Sequence, residues 1–178
     1  LLQWVRNGGR MILIGTAMEK FVDQKGYGLV KYESETAKKE AKKIVEKEKL
    51  KDRNKKYGER KRKRLVDSTY GSIVKISMDI SHPLAFGYNE TYFNLKLEKN
   101  LYPLLLKGWN VGILNNSNSH IAGFMGSRIK KKINNNLIFG VQDVKKGRII
   151  YFADNPLFRS FWYNSKVLFG NAVFFVTG

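Results

Sequence analysis

The chain has 178 residues, with 43% hydrophobic and 13% aromatic residues, so one domain with a real core is affordable. Cysteine is absent, which excludes a thiol nucleophile, disulfides and thiolate metal sites and leaves the compartment open. The net charge is +18; Lys38 to Arg64 alone hold 15 Lys/Arg against 5 Asp/Glu, so +10 of the excess lies in one segment, which favours a solvated charged face over a nucleic-acid site.

No initiator Met and no signal-peptide pattern open the sequence, and no apolar run has the length of a membrane span. Leu1-Leu2-Gln3-Trp4-Val5 reads as the inside of an amphipathic helix, so the chain is expected to be a fragment of a longer protein. Gly8-Gly9 would cap that helix, where a positive φ is cheap. Arg10 to Gly15 is a short buried strand, expected to be parallel. Thr16 would cap a helix running to about Lys25, with Met18, Phe21 and Val22 inward.

Residues 35–66 form a charged helical insert, with Ala37, Ala41, Ile44, Val45 and Leu50 as a narrow apolar stripe. Arg60 to Arg64 has the composition of a localisation signal and reads better as a charged loop or helical turn. Gly71 to Asp79 alternates as a strand. Ser81 to Tyr88 is a structured turn around His82 and Pro83, and Thr91 to Leu97 alternates again. Trp109 to Leu114 is a strand, His120 to Gly126 a tight connection, and Arg128 to Asn136 a short basic helix. Leu137 to Val144 and Arg148 to Ala153 make an antiparallel pair about Lys145-Lys146-Gly147. Asp154-Asn155-Pro156 ends the second strand and feeds an aromatic helix, which weakens near Trp162 to Ser165 before a closing helix over Lys166 to Val176. Most of the aromatics Phe158, Phe161, Trp162, Tyr163, Phe169, Phe174 and Phe175 are expected in the core, with Arg159 stacking or ion-paired at the corner.

Reactive patterns are scarce. His82 and His120 are the two histidines, and neither lies in a zinc-ligand spacing. There is no Gly-x-Ser-x-Gly elbow, dinucleotide fingerprint or Walker loop. Asp79 and Asp154 read as turn caps.

Three stretches carry a resemblance: LQWVRNGGRMILIG from Leu2, MDISHPLAFGY from Met78, and GRIIYFADNPLFRSFWYNSKVLFGNAVFF from Gly147. Together they resemble the C-terminal class I glutamine amidotransferase-like domain of bacterial, Bacteroidetes-type zinc carboxypeptidases of the carboxypeptidase A class. The most specific parts are His82, Pro83 and Gly87 in the turn, and Asp154, Asn155, Pro156, Phe158, Arg159 and Trp162 at the corner. The resemblance implies an α/β, flavodoxin-like, doubly wound and mostly parallel sheet, here without its first strands, as one partial domain over 1–178. It implies a parent that is a zinc metallopeptidase, a hydrolase active in proteolysis and periplasmic or secreted. The zinc and catalytic residues would lie outside this chain, and no catalytic, cofactor or metal residue carries over onto it.

The expected role is therefore a non-catalytic accessory domain with no cofactor of its own. Its expected partner is the upstream peptidase domain, with a homo-oligomer through an exposed sheet edge as a further possibility. Two other readings stand beside this one. One is a binding module for an acidic polymer, nucleic acid or anionic glycan, through 38–64. The other is a small-molecule site at the strand ends near Asp154, Asn155 and Arg159.

Overall fold

A computed structural model of the protein describes residues 1–30 and 65–176. The charged insert therefore lies outside the described residues except for its last two positions, and the Arg60 to Arg64 run lies wholly outside them. The elements in chain order are α1 (Leu2–Arg6), β1 (Arg10–Ile14), β2 (Thr69–Met78), β3 (Thr91–Lys96), β4 (Tyr102–Pro103), β5 (Trp109–Asn116), β6 (His120–Met125), α2 (Ser127–Lys132), β7 (Asn134–Val144), β8 (Gly147–Phe152) and α3 (Asn164–Phe174). The fold is α/β. Its strands form one mixed, eight-stranded sheet in the order β1-β8-β7-β5-β2-β3, with β4 added on β7 and β6 on β2.

A mostly parallel sheet is not what forms. Among the described residues β1–β8 is the one parallel pair, and β2–β3, β2–β5, β2–β6, β4–β7, β5–β7 and β7–β8 are antiparallel. The reason is the connections. Parallel neighbours need a crossover of a dozen or more residues, usually helical. From β2 to β8 the chain supplies hairpins, short 3₁₀ turns and the six-residue helix α2 instead, ending in the two-residue reversal Lys145-Lys146 between β7 and β8.

Other expectations shift for local reasons. The helix expected from Thr16 to Lys25 is a 3₁₀ run over Gly15–Phe21, closed by a turn in which Asp23 and Gly26 take positive φ. His120–Met125 is a strand. Its glycine is a close-approach residue: a Cβ on Gly123 would stand 2.4 Å from the Gly71 carbonyl oxygen across the ladder, and both glycines have positive φ, 81° and 79°. After Pro156 only a single 3₁₀ turn, Phe158–Ser160, forms, because Arg159 and Ser160 take left-handed φ of 49° and 56°. The basic helix is confined to Ser127–Lys132, and Asn134 to Asn136 join β7.

The sheet curls. β3 and β8 are at nearly opposite ends of the strand order, yet Tyr92 of β3 meets Phe139 of β7 edge-to-face at 5.6 Å, and Phe139 meets Phe152 of β8 at 5.6 Å. Tyr88 extends this row of rings at 5.4 Å from Tyr92. The core inside the curl also takes in Val74, Ile76, Leu114, Leu137, Ile150 and, from α3, Leu168 and Ala172.

Candidate functional site

The residues singled out by sequence gather at two places, the end of β8 and the turn after β2. After Arg148, β8 is a run of β-branched and aromatic residues, Ile149 to Phe152, all fully buried. Asp154 follows and is 1% exposed. It does not act as a helix cap. Its Oδ1 accepts the backbone N–H groups of Leu97 and Glu98, each at 3.0 Å. Its Oδ2 accepts Asn94 Nδ2 at 3.1 Å and faces Lys96 Nζ at 3.4 Å. Lys96 is itself wholly buried and donates to the Asn100 carbonyl at 3.1 Å. One carboxylate thus serves four donors, which is what a charge needs to stay in a dry interior.

Asn94 and Lys96 were not among the residues picked out by sequence. The usable signal was their phase: Tyr92, Asn94 and Lys96 share one face of β3 and alternate with Phe93. Which face turns inward is set by Asp154, 58 residues later.

The segment that feeds these donors, 97–100, lies over the carboxyl ends of the parallel pair. A Cβ on Gly15, just past β1, would stand 4.0 Å from Glu98 Cγ, and Asn100 Nδ2 donates to Glu19 Oε1. Open α/β sheets bind ligands beyond the carboxyl ends of their strands. Here the chain's own backbone occupies that position above β8.

Asn155 is exposed and accepts the Leu157 N–H at 2.9 Å, closing an Asx turn, while Pro156 is buried. Phe158 and Trp162 are half-buried; Arg159 is exposed, stacked 5.2 Å over the Phe158 ring. The Trp162 indole Nε1 is buried without a hydrogen-bond partner among the described residues, and burial pushes the nearby Tyr92 hydroxyl's pKa above its ordinary value, opposed by Ser165 and Trp162. The aromatic run is less interior than its composition suggests: Phe161, Tyr163, Phe174 and Phe175 are all exposed. Arg159 makes no contact that docks α3.

α3 is held by the other motif. The Asn171 amide, buried on α3, donates to the carbonyls of Leu84 and Phe86 at 3.0 and 2.8 Å. The Tyr88 hydroxyl accepts the Leu168 N–H at 2.8 Å and donates to the Asn164 carbonyl, and the Tyr92 hydroxyl pairs with Ser165 Oγ at 2.6 Å. Within the turn, His82 Nδ1 accepts the Leu84 N–H at 3.0 Å, Pro83 opens a 3₁₀ turn, and Gly87 has φ 82°. The His82 ring packs 5.7 Å from that of Trp109. Partial burial lowers its pKa below the ordinary value, opposed by Asp79 and assisted by Arg148. Asp79 caps this turn, accepting the N–H and hydroxyl of Ser81.

His120, on β6, bonds locally to the Gly123 carbonyl. Among the described residues no three His, Asp or Glu side chains are grouped as metal ligands would be. A polar groove of about 590 Å³ runs along β2 and β5, lined by Lys75, Ser77, Asp79, Glu90, Asn115 and Ser119 among others. Its polar groups are largely engaged with one another, as in the Asn115–Ser77 and Ser81–Asp79 hydrogen bonds. No family model, no curated protein and no solved structure matches the chain.

Proposed function

We propose that the chain is a non-catalytic α/β accessory domain of a zinc metallocarboxypeptidase, working by packing against the peptidase domain. The observation that carries this reading is spatial. The three stretches that bear the resemblance form one unit: Arg10 to Ile14 pair in parallel register with Arg148 to Phe152, and the His82–Tyr88 turn is clamped to α3 by Tyr88 and Asn171. A Cβ on Gly147 would stand 1.9 Å from the Val5 carbonyl oxygen, so α1 and the start of β8 are also built against each other. Residues whose contacts are to one another need no substrate to explain them.

The polar groups best placed for chemistry point the same way. Asp154 is saturated by four donors, and His82 commits Nδ1 to its own turn. The parallel β1–β8 pair with its flanking helices is the piece of a doubly wound sheet that this chain would contribute. In that case further parallel strands add at the free edge of β1. An assay of the purified domain for peptide and glutamine hydrolysis tests the reading; turnover above a blank would sink it. So would a coding sequence upstream of Leu1 that lacks a peptidase domain with its His-x-x-Glu and distant His.

A further inference from the structure

The described residues carry 17 Lys/Arg against 8 Asp/Glu, an excess of +9 that is independent of the charged insert. Part of it is concentrated at one corner, where the start of β2, the end of β6 and α2 meet. The corner is built by short contacts: Thr69 pairs with Met125 and Tyr70 with Phe124, the Gly126 N–H donates to the Ser68 carbonyl at 2.8 Å, and Arg128 Nη1 bonds Asp67 Oδ2 at 2.9 Å. Residues 65–75 and 120–133 together hold five Lys/Arg (Lys75, Arg128, Lys130, Lys131, Lys132) against one acid, Asp67, and that acid is paired with Arg128.

The same corner exposes large apolar side chains. Tyr70 is 68% exposed, Ile121 54% and Phe124 43%, and the rings of Tyr70 and Phe124 lie against each other at 6.0 Å. Among the described strands β6 is a side branch of the sheet, paired with β2 alone. Leu65 is exposed beside them, near Gly126. Exposed aromatic and aliphatic groups beside the lysines of α2 match a headgroup–acyl boundary of negative charge. A nucleic-acid strand would use the rings but has no use for Ile121 and Leu65.

We propose that this corner docks the protein on an anionic lipid surface. Tyr70, Phe124 and Ile121 enter the boundary region, and Lys130, Lys131 and Lys132 meet the lipid phosphates. The proposal is independent of the peptidase assignment. It needs no spanning helix, and none among the described residues is long and apolar enough to cross a membrane.

The absence of cysteine makes the test direct. Single variants Ile121→Cys and Lys145→Cys are labelled with an environment-sensitive fluorophore and mixed with vesicles of phosphatidylglycerol and phosphatidylcholine in equal parts, or of phosphatidylcholine alone. The expected result is a blue shift at position 121 with the anionic vesicles only, and none at position 145. In sedimentation with the same vesicles, the triple variant Lys130→Ala, Lys131→Ala, Lys132→Ala should lose affinity by about ten- to a hundredfold, whereas neutralising Lys99, Lys145 and Lys146 should cost less than about threefold. No shift at 121 overturns the proposal, and so do equal shifts at both positions or equal losses in the two triple variants. Oligothymidine binding that depends on the three lysines, without vesicle binding, would assign the corner to nucleic acid instead.

Discussion

Replacing Asp154 by asparagine should be among the most damaging conservative changes in this domain. The carboxylate accepts four donors, two of them consecutive backbone N–H groups at 3.0 Å, and it is the charge partner of a lysine with no solvent exposure. An amide has one acceptor oxygen. If that oxygen serves Leu97 and Glu98, an NH₂ faces Asn94 and the Lys96 ammonium, donor against donor. If it serves Asn94 and Lys96, both backbone N–H groups lose their acceptor. In the first case Lys96 keeps only the Asn100 carbonyl, at 3.1 Å. Breaking a buried pair so that one charge is stranded costs about 3–5 kcal/mol. Against a typical domain stability of about 5–15 kcal/mol, that is a large fraction of the total. The measurement is urea unfolding of wild type, Asp154→Asn, Lys96→Met and the double variant, compared at constant m-value. The double variant should be more stable than Asp154→Asn by about 1–3 kcal/mol, because the stranded ammonium is gone. A cost below about 1 kcal/mol for Asp154→Asn, or strict additivity of the two changes, would refute the reasoning.

Asn171→Ala leaves the Leu84 and Phe86 carbonyls without a side-chain donor and should cost about 2–3 kcal/mol in urea unfolding. Tyr92→Phe removes only the bond to Ser165 and should cost about 1 kcal/mol. Gly147→Ala drives a methyl group into backbone, 1.9 Å from the Val5 oxygen and 2.3 Å from the Gly9 oxygen, and should cost about 3 kcal/mol or more, seen as a lowered Tm or lost soluble yield. His82 supplies a pH dependence. Its folded pKa lies below the ordinary 6.5, chiefly through burial, so the unfolded chain binds the proton more readily in that window. Its contribution is complete above about pH 6.5 and declines as pH falls toward the folded pKa. The acid-side slope of urea midpoints should be shallower in His82→Asn, which can still accept the Leu84 N–H; an identical slope would rule out His82 as the source.

Periodicity located most strands well, because their signals are local. β1, β2, β5 and the β7–β8 hairpin lie near where β-branched runs and the Lys145-Lys146-Gly147 reversal place them. Parallel pairing of β1 with β8 fits the apolar run Met11 to Ile14. What sequence could not show was long-range. Helical spacing puts Leu168, Ala172 and Phe175 on one face of the closing helix; Leu168 and Ala172 are buried there, but Phe174 and Phe175 are exposed and the polar Asn171 turns inward instead. Left-handed φ at Arg159 and Ser160 carries no local signature, since neither is Gly or Asn, so the turn that interrupts the aromatic run was invisible. Asp154 looked like a cap because its acceptor capacity is all that sequence displays; its donors come from a strand and a connector some 56–60 residues earlier.

The buried Asp154 cluster also bears on why this end of the sheet reads as architecture. A parallel pair leaves its carboxyl ends open unless something covers them, and in ligand-binding α/β folds that opening is the site. In this chain the curl brings the β3–β4 connector back over β1 and β8, with Asp154 holding the connector by its backbone and Glu19 holding Asn100. Opening that crevice for a ligand would require exposing Lys96 and stripping Asp154 of its donors together, so the closed form is strongly favoured. A domain built this way holds Asp154, Asn94 and Lys96 inside, for shape. Among the described residues what remains outside is the outer edge of β1, the exposed Phe174 of α3, and the corner of β6 and α2 with its lysines.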